Sequence, residues 1–202
     1  MGSKLSPEDM DRIVEGIRKK YAEASITPQG LFNYPTGREG LKGLGYDFKI
    51  VETIPKPVID SFCGVGNPFY LGPIHKGENV LDIGCGGGFD VIFAATEVGP
   101  EGQVTGIDVT PEMLERSKKN LRETSLANVT FRQATAEALP FPNDNFDVII
   151  SNGVFNLIPN KAKAFSEVFR VLKLSGRLMV ADQILIGELS KDQKLSAESW
   201  AQ

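Results

Sequence analysis

Short hydrophobic runs and amphipathic stretches alternate along the chain from residue 80 onward. Apolar runs of the kind found in buried strands occur at 80–83, 103–107, 129–132, 146–151 and 177–185. Between several of them, apolar residues recur every three or four positions, which predicts helices at 89–98, 111–124 and 160–172. Strands that alternate with helices of this length indicate βαβ units. The pattern therefore predicts an α/β fold built on a parallel sheet.

The first 77 residues follow a different pattern. Ser6 and Pro7 with acids at 8 and 9 are typical of a helix start, and apolar residues then recur at helical spacing: Met10, Ile13, Val14, Ile17 and Tyr21. We expect this helix to pack on its own domain, with a lid or a partner-binding helix as the alternative. Residues 25–77 mix glycine and proline with many aromatic residues, which predicts an ordered irregular segment with a short helix near 56–62. We therefore divide the chain into a helix-and-lid region, 1–77, and a core, 78–202.

Composition narrows the classes of partner. The net charge is −4 and no run of Lys or Arg occurs, which disfavours a nucleic-acid partner. No apolar run approaches the roughly 20 residues needed to cross a bilayer, so no membrane partner is expected. The two cysteines, Cys63 and Cys85, do not form a disulfide framework and fit a reducing compartment. We expect a cytoplasmic protein, and the sequence does not determine its oligomeric state. We expect no metal site, because His75 has no partner at metal-ligand spacing.

Glycines dominate the turn between the first strand of this core and its helix. They occupy positions 84, 86, 87 and 88, where they allow backbone N–H groups to approach a ligand. A dinucleotide fingerprint requires a glycine at position 89, but this chain has Phe89, which disfavours an NAD(P)-dependent oxidoreductase without removing that alternative. Asp108 ends the next strand, where its carboxylate could accept both hydroxyls of a ribose. The sequence thus predicts a nucleotide-type ligand at the carboxyl ends of the strands.

The pattern Asp-x-Gly-x-Gly-x-Gly at 82–88 resembles the first motif of class I S-adenosylmethionine (SAM)-dependent methyltransferases. The resemblance continues, in the order of that family, through 108–113, 136–141, 146–152 and 169–173. It implies SAM as the cofactor and a Rossmann-like parallel sheet preceded by a helical and irregular N-terminal extension. The sheet of the family has more strands than can be counted before Gln202, so we expect it to be C-terminally incomplete. Residues 189–200 read as the start of another helix.

The resemblance also implies which residues contact each part of SAM. These are Asp82, Gly84, Cys85 and Gly86 for the methionine moiety, Asp108 for the ribose, Val109, Met113, Ala136 and Glu137 for the adenine, and Asn152 and Val154 for the sulfonium end. Thr135 stands where many relatives place Asp, so the adenine edge is expected to have a neutral hydrogen-bonding partner. No catalytic residue is assigned, because displacement at a sulfonium requires in-line positioning more than acid–base groups.

Three further segments of the sequence concern the acceptor of the methyl group. Segments 34–37, 64–68 and 151–157 resemble the arsenite methyltransferase branch and its small-molecule neighbours. Thiolates are the ligands that suit trivalent arsenic, but Val65 and Gly153 stand where arsenic-binding relatives carry cysteine. We expect transfer to a small molecule or a metalloid held by 152–157 and by an aromatic lid of Phe32, Tyr34, Phe69 and Tyr70. A SAM-binding module without turnover remains the alternative.

Overall fold

The computed structural model describes residues 6–184, and its centre is a parallel sheet. The strands are β1 (Asn79–Ile83), β2 (Gln103–Asp108), β3 (Val129–Gln133), β4 (Phe146–Asn152) and β5 (Leu172–Ala181). They lie in the order β3-β2-β1-β4-β5, and every neighbouring pair is parallel. The strand order reverses between β1 and β4, which opens a crevice at their carboxyl ends. The predicted Rossmann-like sheet is confirmed.

Helices cover both faces of this sheet. Three of them connect the strands: α5 (Phe89–Val98), α6 (Pro111–Arg122) and α7 (Lys161–Val171). One apolar cluster includes Val80, Val91 and Val104, and a second on the other side of the sheet includes Leu81, Ile149 and Val168. Residues of β1 therefore alternate between the two clusters, as the side-chain period of two requires. The predicted helix at 189–200 lies outside the described residues.

Strand β5 begins earlier than its hydrophobic run predicts. It starts at Leu172, directly after α7, whereas the predicted start was residue 177. Leu172 pairs with Phe146 and Arg177 pairs with Val148, so a shift in register between these pairs accommodates the intervening residues. Backbone pairing with β4 thus extends the strand through Ser175 and Gly176, residue types that read as a turn in isolation.

The N-terminal region is ordered and largely helical. It consists of α1 (Pro7–Ile26), α2 (Gly37–Gly43), α3 (Phe48–Val51), α4 (Lys56–Asp60) and a 3₁₀ turn at Pro68–Leu71. The predicted helix start is confirmed, since Ser6 Oγ accepts a hydrogen bond from the N–H of Asp9 at 3.1 Å, and Asp9 accepts one from the N–H of Ser6 at 3.2 Å.

An apolar cluster attaches this region to the core. Leu41, Tyr46 and Phe62 pack against Phe89 and Phe93 of α5, and α5 is therefore buried on nearly all sides. The division of the chain at residue 77 remains a prediction. None of the described helices combines the length and the hydropathy that a bilayer span requires.

Candidate functional site

A cavity lies at the carboxyl edge of the sheet, above the ends of β1, β2 and β4. Its walls include the glycine turn after β1, the segment 134–137 after β3, residues 152–154 and 157–159 at and after the end of β4, and residues 61–64 after α4. Residues Val14, Ile17 and Tyr21 of α1 complete the lining. The residues that the motifs assigned to the cofactor and that line this cavity are Asp82, Gly84, Cys85, Gly86, Asp108, Val109, Ala136, Glu137, Asn152 and Val154.

Met113 is the assigned residue that lies behind the cavity wall. Its side chain is 1% exposed on α6, and its Sδ is 4.0 Å from the position that a Cβ on Gly86 would occupy. Met113 therefore packs near the glycine turn, and its contact with adenine remains a prediction.

The glycine turn requires backbone conformations that other residues rarely adopt. The φ angles of Gly84 and Gly86 are +74° and +49°. A Cβ on Gly84 would come within 2.3 Å of Cγ2 of Val154, so this position has no room for a side chain. The nearest side-chain atom to a Cβ on Gly86 would be Sδ of Met113 at 4.0 Å, and Gly86 itself lines the cavity. Gly84 is therefore constrained by packing, and Gly86 by its conformation and by the space that a ligand would occupy.

Asp108 links the end of β2 to this turn. Its Oδ2 accepts a hydrogen bond from the N–H of Gly86 at 2.9 Å, and its Oδ1 accepts one from the N–H of Thr110 at 2.8 Å. Burial raises the pKa of the Asp108 carboxyl, and these hydrogen bonds oppose the rise. Each carboxylate oxygen has a second lone pair, so Asp108 can still accept the hydroxyl groups of a ribose.

Three buried carboxyl groups face this cavity. Asp82, Asp90 and Asp108 are 2%, 7% and 8% exposed. Burial and the neighbouring charges of Asp90 and Asp108 raise the pKa of Asp82 well above its ordinary value, and burial raises the pKa of Asp90 to about 6. Within residues 6–184, no side chain or backbone group donates a hydrogen bond to Asp82, and no Lys, Arg or His lines the cavity. Positive charge on a ligand would therefore be favoured here.

Asp90 and Tyr46 belong to a hydrogen-bonded group that the sequence did not reveal. Asp90 Oδ1 accepts from the Tyr46 hydroxyl at 2.7 Å, and its Oδ2 accepts from Nδ2 of Asn152 at 3.0 Å. The amide of Asn152 also contacts the backbone of Val65 and Gly66. Asn152 therefore holds a loop in place on the cavity wall, and its predicted contact with the sulfonium end of SAM remains a prediction.

None of the four residues of the predicted aromatic lid lines the cavity. Phe69 packs against the core clusters and Tyr70 is 82% exposed, so neither covers the cavity. Phe32 contacts Tyr21 at a ring-centroid distance of 5.9 Å and Tyr34 at 5.2 Å, but neither Phe32 nor Tyr34 lines the cavity. The amphipathic helix α1 takes this place, because its buried stripe faces both the core and the cavity.

Both cysteines line the cavity as neutral thiols. Burial raises the pKa of Cys63 to about 12, with a further contribution from Asp108 and Asp90, and burial raises the pKa of Cys85 well above its ordinary value. Among the residues described, no group of three or more His, Cys, Asp or Glu side chains is arranged so that it could hold a metal ion. A Cβ on Gly153 would lie 3.2 Å from Cγ1 of Val65, so the two positions where arsenic-binding relatives were expected to carry cysteine are neighbours here.

The wall after β3 is secured by Arg170 of α7. Its guanidinium donates to the carbonyl of Leu139 at 2.9 Å, to the carbonyl of Phe141 at 2.8 Å and to the carboxylate of Glu167 at 2.7 and 2.8 Å. The hydrogen bond from Arg170 holds the pKa of Glu167 down to about 2. Arg170 therefore supports the segment that carries Ala136 and Glu137, the residues assigned to the adenine edge.

Comparison with known proteins agrees with this geometry. The methyltransferase domain family matches residues 74–202. Over an alignment of 209 residues, the chain is 32% identical to the arsenite methyltransferase of Halobacterium salinarum. This alignment covers 96% of this chain and 53% of that protein. Over a second alignment, of 110 residues, it is 41% identical to the demethylmenaquinone methyltransferase of Listeria welshimeri. This alignment covers 54% of this chain and 46% of that protein.

A solved structure shows the same architecture. The crystal structure of an arsenic(III) S-adenosylmethionine methyltransferase from Chlamydomonas reinhardtii is similar at a TM-score of 0.62 and 36% identity, over 67% of this chain and 48% of that one. The chain spans about half the length of the curated relatives it matches. The predicted cofactor, S-adenosylmethionine, is confirmed as that of the family. The chain belongs to the class I S-adenosylmethionine-dependent methyltransferases.

Proposed function

We propose that this protein transfers the methyl group of SAM to a small molecule or a metalloid. The observation that carries the proposal is the charge of the cavity, where Asp82, Asp90 and Asp108 are buried without a basic side chain in the described lining. SAM has a sulfonium and an ammonium against a single carboxylate, so its net positive charge complements this site. The phosphates of NAD(P) would meet three acids instead, which disfavours the oxidoreductase alternative.

The strand order suggests how SAM would lie in the cavity. With its ribose at Asp108, at the end of β2, its methionine moiety would extend over β1 toward Asp82. The methyl group would then face the end of β4, where the wall consists of residues 152–154 and 157–159, residues 63 and 64 and the helix α1. An acceptor aligned between these walls would be placed for in-line displacement at the methyl carbon.

The chemistry of these walls favours an uncharged or soft acceptor. Val14, Ile17, Leu157 and Ile158 supply apolar surface, and the buried acids would repel a carboxylate or a phosphate. Two of the similar proteins described above are named for arsenite or arsenic(III). The thiols of this chain, however, are those of Cys63 and Cys85 alone. Both are neutral, whereas capture of a thiophilic metalloid needs several converging thiolates. We therefore propose that this chain alone does not methylate arsenite efficiently.

The proposal can be tested in two steps. Calorimetry with SAM, S-adenosylhomocysteine and NADH tests the cofactor, and tighter binding of NADH than of SAM would overturn the assignment. Mass spectrometry then measures S-adenosylhomocysteine formed with arsenite plus glutathione, with a neutral quinol and without an acceptor. Turnover with the quinol but not with arsenite is the expected result.

Two controls separate the alternatives. Binding of SAM without turnover on any acceptor would favour the module that binds SAM but does not react. Robust turnover of arsenite that disappears in the Cys63→Ser variant would show that a thiol captures the acceptor and would overturn the proposed acceptor class.

A further inference from the structure

The loop Cys63–Gly66 forms part of the cavity wall on the acceptor side and lies tightly against two strand ends. A Cβ on Gly64 would come within 2.3 Å of Nδ2 of Asn152, and a Cβ on Gly66 would come within 2.6 Å of Cβ of Ala181. These two glycines therefore allow the loop to approach the ends of β4 and β5. Cys63 and Gly64 themselves line the cavity.

Asn152 holds this loop by its backbone. Its Oδ1 accepts hydrogen bonds from the N–H of Val65 at 2.8 Å and from the N–H of Gly66 at 3.0 Å. Its Nδ2 donates to the carbonyl of Gly66 at 2.8 Å. One side-chain amide thus satisfies three backbone groups of a loop with no regular structure, and the loop position depends on the orientation of that amide.

Asp90 determines the orientation of the Asn152 amide. A carboxylate accepts hydrogen bonds and cannot donate them, so the nitrogen of the amide must face Oδ2 of Asp90, which lies 3.0 Å from Nδ2. The oxygen of the amide is then directed to the loop. The hydroxyl of Tyr46 donates to the other carboxylate oxygen of Asp90 at 2.7 Å and lies 3.2 Å from Nδ2 of Asn152. Both oxygens of Asp90 therefore have donors from the protein.

We propose that Asp90 is a positioning residue that, through Asn152 and Tyr46, holds the loop Cys63–Gly66 as the wall against which the acceptor is aligned with the methyl group. This inference rests on the proposed function for the meaning of the wall, but the hydrogen bonds that carry it do not depend on the identity of the acceptor. Asp82 differs from Asp90 in this respect, because its carboxyl has no donor within residues 6–184 and remains available to a ligand.

The Tyr46→Phe variant provides a selective test. Tyr46 is 4% exposed and does not line the cavity, and its ring contacts with Phe62, Phe89 and Phe93 would persist in the variant. Cys63 reports on the loop, because release of the wall would lower its pKa from about 12 toward the ordinary value and increase the thiolate fraction. Alkylation by iodoacetamide, followed by peptide mass mapping, measures Cys63 and Cys85 separately in the same sample.

We expect alkylation of Cys63 to accelerate at least about tenfold in Tyr46→Phe, because reactivity follows the thiolate fraction, while Cys85 keeps its rate. The matched control is Tyr70→Phe. The Tyr70 ring is on the surface, so this substitution should leave both alkylation rates unchanged. Asp90→Asn should reproduce the selective rise, since an amide cannot accept from both Tyr46 and Asn152 without presenting a donor to one of them.

Two results would overturn the inference. Equal acceleration at Cys63 and Cys85 would mean that the hydroxyl stabilises the whole fold, and unchanged Cys63 reactivity in both variants would mean that Asp90 does not hold the loop. The assay contains neither SAM nor an acceptor, so its outcome is separate from success or failure of the proposed methyl transfer. With an acceptor in hand, Tyr46→Phe should raise the KM for the acceptor several-fold while the Kd for SAM changes less than about twofold.

Discussion

The backbone N–H of Gly86 lies 2.9 Å from Oδ2 of Asp108, which joins the end of β2 and the glycine turn into one unit. The other oxygen of Asp108 accepts from the N–H of Thr110 at the start of α6. The same carboxylate therefore stabilises the turn and faces the cavity. Its removal would affect the shape of the site as well as the proposed contact with a ribose.

The Asp108→Ala variant should bind SAM more weakly by about 2–3 kcal/mol, the cost of losing a charged hydrogen-bond acceptor, which is roughly a 30- to 150-fold rise in Kd. Calorimetric titration of the variant measures this change. Glu115→Ala is the control, because Glu115 is exposed on α6 and pairs with Lys118 at the surface. Equal SAM affinity in Asp108→Ala and the wild type would rule out the ribose assignment.

The Gly86→Val variant should lose detectable SAM binding while it remains folded. Its matched control is Gly77→Val, because Gly77 also has a positive φ, +81°, has no atom within 4 Å of its Cβ position and does not line the cavity. Both substitutions introduce backbone strain of about 1–3 kcal/mol, so both should lower the melting temperature. Normal SAM binding by Gly86→Val would show that the turn has only a structural role.

Much of the cavity wall formed by the ends of β1 and β2 and by the glycine turn could be predicted because its signals are local. The apolar run that ends at Ile83, the glycines after it and the position of Asp108 each depend on residues close by in the sequence. The network of Asp90, Tyr46 and Asn152 could not be predicted, because its partners are 44 to 106 positions apart. Hydrophobic periodicity shows which residues share the apolar face of an element, but it does not show whether that face packs in the core or lines a cavity.

The same limitation explains where the structure differs from the expectations for other residues. Phe69 and Tyr70 have the composition expected of a lid, yet the first packs in the core and the second lies on the surface. Tyr21 has the helical spacing of a core residue, yet it lines the cavity. The start of β5 was misjudged because pairing with β4, and not local propensity, determines where that strand begins.

SAM affinity should rise as the pH increases from about 5 to 7. Burial raises the pKa of Asp82, Asp90 and Asp108, that of Asp90 to about 6, and a bound cation favours their ionised forms. Binding of SAM therefore releases protons, whereas S-adenosylhomocysteine lacks the sulfonium and should show a shallower dependence. Calorimetry of both ligands in buffers of different ionisation enthalpy measures the protons released. Equal slopes for the two ligands would contradict this account.

The stability of the free protein should depend on pH in the opposite direction to the SAM affinity, so that the contribution of these acids falls as the pH rises. The Asp90 carboxyl holds its proton up to about pH 6 in the folded state, whereas in the unfolded chain it loses the proton near pH 3.9. Between these values the unfolded state binds fewer protons, so the Asp90 contribution to stability falls as the pH rises. Chemical denaturation of wild type and Asp90→Asn at about pH 4 and about pH 7 isolates this contribution, which should be absent from the variant.

The Arg170→Lys variant should lower the free energy of unfolding by about 1–2 kcal/mol, roughly the contribution of the charge-assisted hydrogen bonds that would be lost. An ammonium cannot reproduce the planar set of donors that reaches Leu139, Phe141 and Glu167 at once. Denaturant titration measures the loss, and Arg122→Lys, at an exposed position on α6, is the control. If Arg170→Lys is as stable as the control, the guanidinium does not support the wall after β3.

The attachment of α1 has a consequence for the rate at which ligands exchange. Two of its buried residues, Ile13 and Ile17, form a small cluster with Tyr21 and Leu157 that is separate from the three larger clusters. Regions with few buried apolar contacts open first under native conditions. We therefore expect the cavity to open first by detachment of α1. The frequency of this detachment, and not the affinity of the glycine turn, would then limit the rate at which the bound cofactor dissociates.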